Sequence, residues 1–286
     1  MIYLALSILF STSIFVIFKL FDAFKINTLQ AILVNYVVAI SFGVFSSNTS
    51  VTISSVPQQK WFFGAFCLGF LFISIFNIMA ITAQKNGLSV ASVAGKMSVV
   101  IPVLFGVLVY QESVGFVKVT GIILALIAVY LSSAKSDVTP VQFKNLLFPL
   151  LLFLGSGILD AGLKYVETTS VTNGDEPFFL ATIFSCALVL GLFMIAYQMI
   201  KGTFTFQWKN ILGGILLGVP NYYSMEFLLK AFKMDIESST LFTINNVGIV
   251  ILTTFFALLF FKEKLIKKNL IGIAIAIISI LFVSFA

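Results

Sequence analysis

Apolar runs recur along the chain, and short polar connections separate them. Each run holds about 20 residues, the length that an α-helix needs to cross the hydrocarbon core of a bilayer. The period-two alternation of membrane β-strands is not seen. The pattern therefore predicts an all-α polytopic membrane protein with ten transmembrane helices, at residues 2–19, 28–46, 61–82, 88–110, 114–133, 146–165, 178–200, 210–231, 238–261 and 269–285.

The composition agrees with lipid as the main solvent. Hydrophobic residues make up 60% of the chain and charged residues only 10%, whereas a typical soluble domain is about 25% charged. The net charge is +6, but the lysines stand singly in short connections, which favours a role in membrane topology over nucleic-acid binding. The two cysteines, Cys67 and Cys186, lie inside apolar runs, so we expect both to be buried.

Several kinds of chemistry are excluded. The chain contains no histidine, which rules out a histidine-based metal site or catalytic triad. No Walker A pattern is present, so direct drive by ATP is not expected, and we expect neither a metal nor a cofactor. The first apolar run has no basic leader and no small-residue cleavage site, so we expect a retained span rather than a cleaved signal.

The two halves of the chain show a weak internal repeat. Shifts of 151 and 145 residues bring like residues together, namely Glu112 with Glu263, Gly121 with Gly272, Ser11 with Ser156 and Lys19 with Lys164. The repeat predicts two five-helix halves, 1–135 and 136–286. Because each half holds an odd number of spans, the halves are expected to be inverted in the membrane. Inverted repeats are typical of secondary transporters, whose substrate site lies between the repeats.

Two stretches of the sequence also carry a family resemblance. They are residues 9–19, and residues 94–104 followed by Glu112 and Gly121. Both are similar to EamA-type members of the drug/metabolite transporter (DMT) superfamily. The resemblance implies two inverted EamA repeats, a location in the bacterial inner membrane, cytoplasmic termini, and transport of a small metabolite, often export. Members carry amino acids, nucleobases, sugars, sugar phosphates or drugs.

Lys96 is the main charged candidate for a substrate contact. It lies eight residues into the fourth predicted span, where Ser92 and Ser89 share its helical face. Ionisable residues at such depth face a cavity or pair with one another. Lys96 therefore either binds a substrate carboxylate or phosphate, or forms a structural ion pair, or extends its ammonium to the membrane surface.

Glu226 follows Pro220 in the eighth predicted span. Proline removes a helical hydrogen bond, and backbone groups freed in this way inside a membrane need a cavity or a partner. Tyr222, Glu226 and Lys230 share one helical face. Glu226 is therefore either a proton-binding carboxylate in a cavity wall or half of a structural pair with Lys230.

The remaining candidates are less specific. Asp160 in the sixth span either pairs with Lys164 or takes part in proton coupling. The uncharged candidates bind substrate or hold helices together, and they are Asn35, Tyr36, Asn77, Asn221, Tyr222, Tyr223, Asn245 and Asn246. Close helix packing is predicted at Gly64, Gly69, Gly213, Gly214 and Gly218. Helix caps or loop ties are predicted at Glu112 and Glu263.

The orientation in the membrane is open, because two signals disagree. The odd-numbered connections hold 11 lysines and the even-numbered connections hold five. Lysine-rich connections favour the cytoplasm, which would place both termini outside. The family resemblance implies the opposite orientation.

The leading hypothesis is a secondary transporter that works by alternating access as an exporter or exchanger. Alternatives are a carrier or flippase for a lipid phosphate, and a non-transporting accessory subunit. An intramembrane enzyme would need paired carboxylates or a nucleophile with a base, and the sequence offers neither. The expected partners are a small solute and the bilayer. One chain holds both repeats, so a monomer suffices, and a homodimer is left open.

Overall fold

The computed structural model describes residues 2–46, 53–102, 104–105, 115–134, 143–172, 174–232 and 238–284. Over these ranges the chain is helical and forms no β-strand. The helices are α1 (Ile2–Ala23), α2 (Thr28–Ser46), a 3-10 helix (Ile53–Gln58), α3 (Phe62–Lys85), α4 (Leu88–Met97), α5 (Phe116–Ser132), α6 (Phe143–Ser170), α7 (Glu176–Ile200), α8 (Trp208–Phe232), α9 (Ser238–Leu259) and α10 (Lys267–Ser284).

Five helices are long and apolar enough to cross a membrane, judged by length and composition. They are Ile2–Ala23, Thr28–Ser46, Phe62–Lys85, Phe143–Glu167 and Glu176–Ile200. Three shorter apolar helical segments accompany them, at Leu88–Pro102, Val119–Ser132 and Ile244–Leu259. The described residues therefore belong to a helical membrane protein, as the sequence predicts.

The chain divides into two compact units, each assembled from separate segments. The first unit contains Met1–Leu20, Ile78–Ile158 and Tyr223–Ala286, and the second contains Phe21–Asn77 and Leu159–Tyr222. Both units draw residues from both predicted halves. Packing units and sequence repeats are different divisions of a chain, so the boundary between residues 135 and 136 stays a prediction.

The first unit is built around α4, α5, α9 and α10. Its buried core is made of small and branched side chains, including Val93, Ala125, Ala128, Val250 and Ala276. The closest helix pair is α5 with α10, which run antiparallel. Ser279 Oγ donates a hydrogen bond to Gly121 O at 2.8 Å, and a Cβ on Gly272 would lie 2.7 Å from Ser132 N.

The second unit pairs α2 with α7, again antiparallel. Gly43 on α2 faces Ala181, and Gly191 on α7 faces Leu33, so each helix offers a glycine to the other. Aromatic rings fill the adjoining core, where Phe72 meets Phe184 edge to face with 5.3 Å between ring centroids. Two rings in this edge-to-face arrangement stabilise the fold by more than the burial of their apolar area alone would give.

Close helix packing at the predicted glycines is confirmed. A Cβ built on each of these glycines would lie within 3.1 Å of an atom in a neighbouring helix. Those atoms belong to Val166 (for Gly64), Cys186 (Gly69), Phe21 (Gly213), Val34 (Gly214) and Val38 (Gly218).

The burial expected for both cysteines is wrong, because Cys67 is exposed and Cys186 is only half-buried. Hydropathy marks a span, but it does not tell a lipid-facing side from a packed side.

Helix α4 ends earlier than the sequence predicts. The predicted span covers 88–110, yet α4 stops at Met97, Ser98 and Val99 form a turn, and helix resumes at 100–102. Ser98 Oγ donates to Gly95 O at 2.6 Å, and Ile101 N donates to Ser98 O at 2.9 Å. A serine hydroxyl competes for helical carbonyls, and Pro102 has no N–H of its own to offer. Residues 106–110 lie outside the described residues.

Candidate functional site

The second unit contains a buried pair of asparagines. Asn221 Nδ2 on α8 donates to Asn35 Oδ1 on α2 at 3.0 Å, and the two residues are 3% and 0% exposed. Gly218 lies one turn before Asn221 and packs on the backbone of Asn35, which lets the two helices approach closely. Asn35 Nδ2 has no hydrogen-bond partner within the described part of the chain, so the pair keeps one buried donor unused.

Tyr36 places a second unused polar group in the same unit. Its ring is fully buried, stacked on Phe184 at 5.8 Å and tilted against Phe76 at 6.2 Å. Among the residues that the structure describes, none accepts from or donates to its hydroxyl. Buried polar atoms are nearly always bonded, so Tyr36 and Asn35 mark places where water or a polar ligand would be stabilised.

The other candidates of the second unit have different surroundings. Tyr222 is buried and stacks on Phe42 with centroids 5.4 Å apart. Asn77 Nδ2 donates to Ile73 O of its own helix at 2.7 Å, so this amide is already engaged. Asp160 is exposed on α6. Its exposure does not test a role in proton coupling, which stays a prediction.

In the first unit, Ser7 joins α1 to two other helices. Its Oγ lies 3.0 Å from Ser224 O on α8 and 3.2 Å from Asn245 Oδ1 on α9, and its single proton can go to either. The neighbouring Asn246 is also buried. Ser7 was not among the predicted residues, because it is one of three serines in the first apolar run and nothing in the sequence sets it apart from Ser11 and Ser13.

Lys96 is the second-last residue of α4 and is half-buried. Ser92 is fully buried and donates to Ser89 O at 3.0 Å, while the Ser89 hydroxyl has no hydrogen-bond partner in the described ranges. The carbonyl end of a helix carries a partial negative charge that favours a cation. Lys96 thus lies in the last turn of α4, at the helix end whose partial charge favours a cation.

Glu226 and Lys230 form the ion pair that was one of the two predicted outcomes. Lys230 Nζ lies 2.6 Å from Glu226 Oε1 and 5.7 Å from the centre of the Phe227 ring. Tyr223 stacks on Phe227 at 5.6 Å and tilts against Phe10 at 5.8 Å. The pair does not test proton binding by Glu226, which stays a prediction.

Glu263 caps a helix, as predicted. Its Oε1 accepts a hydrogen bond from Leu88 N, the first residue of α4, at 2.7 Å, and lies 3.7 Å from Lys19 Nζ. Gly87 has φ of 110° and lies against the same carboxylate, a conformation and a space that suit glycine alone. Glu112, which the predicted repeat pairs with Glu263, lies outside the described residues.

Comparison with known proteins identifies a relative and a fold. No family model matches the chain. An uncharacterized protein of Haemophilus influenzae is 29% identical over 286 residues, covering 97% of this chain and 95% of that relative. A crystal structure of another protein matches with a TM-score of 0.59, covering 97% of this chain and 96% of that chain at 12% identity. The second match shows a common fold along nearly the whole chain.

Proposed function

We propose that this chain is a secondary transporter that moves a small metabolite across the bacterial inner membrane by alternating access, with ten spans arranged as two inverted EamA-type repeats. It carries a neutral or singly charged organic solute, such as an amino acid, a nucleobase or a sugar, by export or exchange. In this proposal the chain is not an enzyme and needs no cofactor. The observation that carries the proposal is a set of reciprocal helix contacts.

The first reciprocal pair lies in the second unit. Gly69 packs on Cys186, and Gly218 packs on Val38, with hypothetical Cβ atoms 2.7 and 2.6 Å from the partner Cβ. A shift of 149 residues moves Gly69 to Gly218, and a shift of 148 moves Val38 to Cys186. The second contact is therefore the first one with the two repeats exchanged.

The same exchange relates the contacts between α2 and α7. Gly43 packs on Ala181, and Gly191 packs on Leu33. A shift of 148 residues moves Gly43 to Gly191 and Leu33 to Ala181. Because α2 and α7 are antiparallel and equivalent, the operation that exchanges them reverses the direction of the chain.

The first unit offers an independent example between α5 and α10. Ser279 donates to Gly121 O, and Gly272 packs on Ala128 O. A shift of 151 residues moves Gly121 to Gly272 and Ala128 to Ser279. Reciprocal contacts of this kind are what a two-fold operation produces. They support inverted repeats, the architecture of many secondary transporters.

The asparagine pair is the substrate contact that we favour in the second unit. The repeat equivalents of Asn35 and Asn221 are Ile183 and Phe72, which are apolar and buried. The scaffold thus accepts apolar side chains at these positions, so the amides need another reason to be there. An amide pair with an unused donor suits a solute that carries carbonyl or hydroxyl groups.

The interruption of α4 supports a second contact at Lys96 in the first unit. Substrate sites of transporters are often built at broken helices, whose free backbone groups line a cavity. Here the turn at Ser98–Val99 follows directly on the end of α4. A half-buried ammonium at that end suits the carboxylate of an amino acid.

The test starts from purified protein and a thermal-shift screen against amino acids, nucleobases, sugars and sugar phosphates. A solute at 100 times its Kd stabilises the native state by about 2.7 kcal/mol. We expect one class to raise the melting temperature of the native protein and of Ser185→Ala, whose hydroxyl bonds only its own helix. The double variant Asn35→Leu/Asn221→Leu should not respond.

The solute found in the screen is then tested for uptake into proteoliposomes. Counterflow above the level of protein-free vesicles is expected for the native protein and absent for the double variant. A solute that binds tightly and yet never crosses the membrane would contradict transport and favour a binding or accessory role.

A further inference from the structure

One end of the first unit holds an open cavity of about 240 Å³. It lies between the connection of α3 to α4 and the connection of α9 to α10, close to the C-terminal end of α1. Its charged lining consists of Lys19, Lys85, Lys264 and Glu263. Three ammonium groups against one carboxylate give this lining a net charge of +2.

The single carboxylate already has partners. Glu263 Oε1 accepts the N–H of Leu88 at 2.7 Å and lies 3.7 Å from Lys19 Nζ. The carboxylate of Glu263 therefore interacts both with the positive end of the α4 dipole and with Lys19. The cavity keeps a positive potential, which its walls concentrate.

The two amides in the lining hold the walls in place. Asn86 Nδ2 donates to Asn145 O at 2.7 Å, and Asn269 Nδ2 donates to Ser132 O at 2.8 Å and to Ala134 O at 3.0 Å. Because these amides bind backbone carbonyls, recognition of a ligand falls to the lysines. Lys85 is itself positioned, with its Nζ 5.2 Å from the centre of the Phe148 ring.

We propose that this cavity binds a phosphate group. A phosphate monoester carries about −1.5 to −2 charges at pH 7 and so matches the lining, whereas a carboxylate carries one. Lysine binds phosphate as a point charge. The space is several times the roughly 30 Å³ that a water molecule occupies in the liquid. The phosphate monoester comes from a lipid headgroup, as in phosphatidic acid, or from a free phosphorylated solute, and basic pockets between membrane helices are known to hold headgroups.

The test compares two double variants of the full-length protein in detergent. Lys85→Gln/Lys264→Gln removes two lining charges. Lys262→Gln/Lys267→Gln removes the same charge from exposed positions of the α9–α10 region, outside the lining. Binding of inorganic phosphate and pyrophosphate is followed by thermal shift, and binding of phosphatidic acid, a phosphate monoester, against phosphatidylcholine by native mass spectrometry. If the lining double variant does not fold, the single variant Lys264→Gln, at an exposed residue of the lining, replaces it in both binding assays.

We expect the lining variant to bind at least one phosphate probe about 30-fold more weakly than the native protein, the effect of two lysines near an anionic group. The control variant should change binding less than about threefold. A response to phosphatidic acid alone assigns the cavity to lipid, and a response to the free anions assigns it to a solute. The proposal is overturned if no probe binds the native protein, or if both double variants weaken binding equally, since the effect would then come from general surface charge.

Discussion

The asparagine pair between α2 and α8 gives the sharpest test of the second unit. Asn221→Leu leaves Asn35 Oδ1 without the bond measured at 3.0 Å, beside an Asn35 Nδ2 that already has no partner in the described ranges. A buried polar group that loses its partner costs about 1–3 kcal/mol of stability. Asn35→Leu removes the Oδ1 to which the Asn221 amide donates, so both single variants should lose stability.

The double variant Asn35→Leu/Asn221→Leu should behave differently. Replacing both partners by apolar groups of similar shape is close to neutral, and under the proposed repeat the equivalent positions hold Ile183 and Phe72, which are apolar and buried. We therefore expect the double variant to lie within about 1 kcal/mol of the native protein. The two single effects should not add, because the residues are in contact.

Thermal melting in one detergent measures this cycle. At about 2–4 °C per kcal/mol, each single variant should melt roughly 2–12 °C lower, and the double variant no more than about 4 °C lower. Ser185→Ala, which removes only a bond within α7, should stay within about 2 °C. If the double variant falls by the sum of the single variants, the two asparagines are not coupled, and the reasoning from an unsatisfied buried group is refuted.

Three further predictions concern other parts of the molecule. Glu263→Gln should lower stability by about 0.5–2 kcal/mol, since it weakens the cap on Leu88, and a melt equal to that of the native protein would contradict the cap. Gly272→Leu should abolish a folded peak in size-exclusion chromatography, because its Cβ would meet backbone 2.7 Å away, whereas the exposed Leu270→Ala should leave that peak unchanged. Lys264→Cys, in a Cys67→Ser/Cys186→Ser background, should react with an impermeant maleimide only in inside-out vesicles, because lysine-rich ends face the cytoplasm. Labelling in intact cells would instead favour the opposite orientation.

The helices were largely predictable from the sequence, because hydropathy reports the solvent that each segment prefers. The end of α4 could not be predicted in this way, because the two residues Ser98 and Val99 hardly change the mean hydropathy of a span of about 20 residues. Pro102 was the available signal, since a proline leaves a carbonyl one turn earlier without its donor. The effect appears at Ser98, whose carbonyl takes Ile101 N instead.

The candidate site was only partly predictable. Asn35 and Asn221 stand out as amides within apolar runs, but they are 186 residues apart in the sequence. Their hydrogen bond therefore depends on how α2 packs against α8. The lysine-lined cavity was missed for the same reason, because Lys19, Lys85 and Glu263 meet only in the folded chain. The predicted repeat rests on a few identities in the sequence, whereas the reciprocal contacts share the close approach of a glycine to a neighbour and not the residue type of that neighbour.

The cap on α4 has a consequence for how the chain is made. Leu88 N and Glu263 are 175 residues apart, and synthesis proceeds at about 5–20 residues per second. The first turn of α4 therefore waits roughly 9–35 s for its carboxylate after it has emerged. During that interval the amino end of α4 lacks this acceptor, and a chain cut before residue 263 never gains it. The connection between α9 and α10 thus completes the cap of a helix that was synthesised 175 residues earlier.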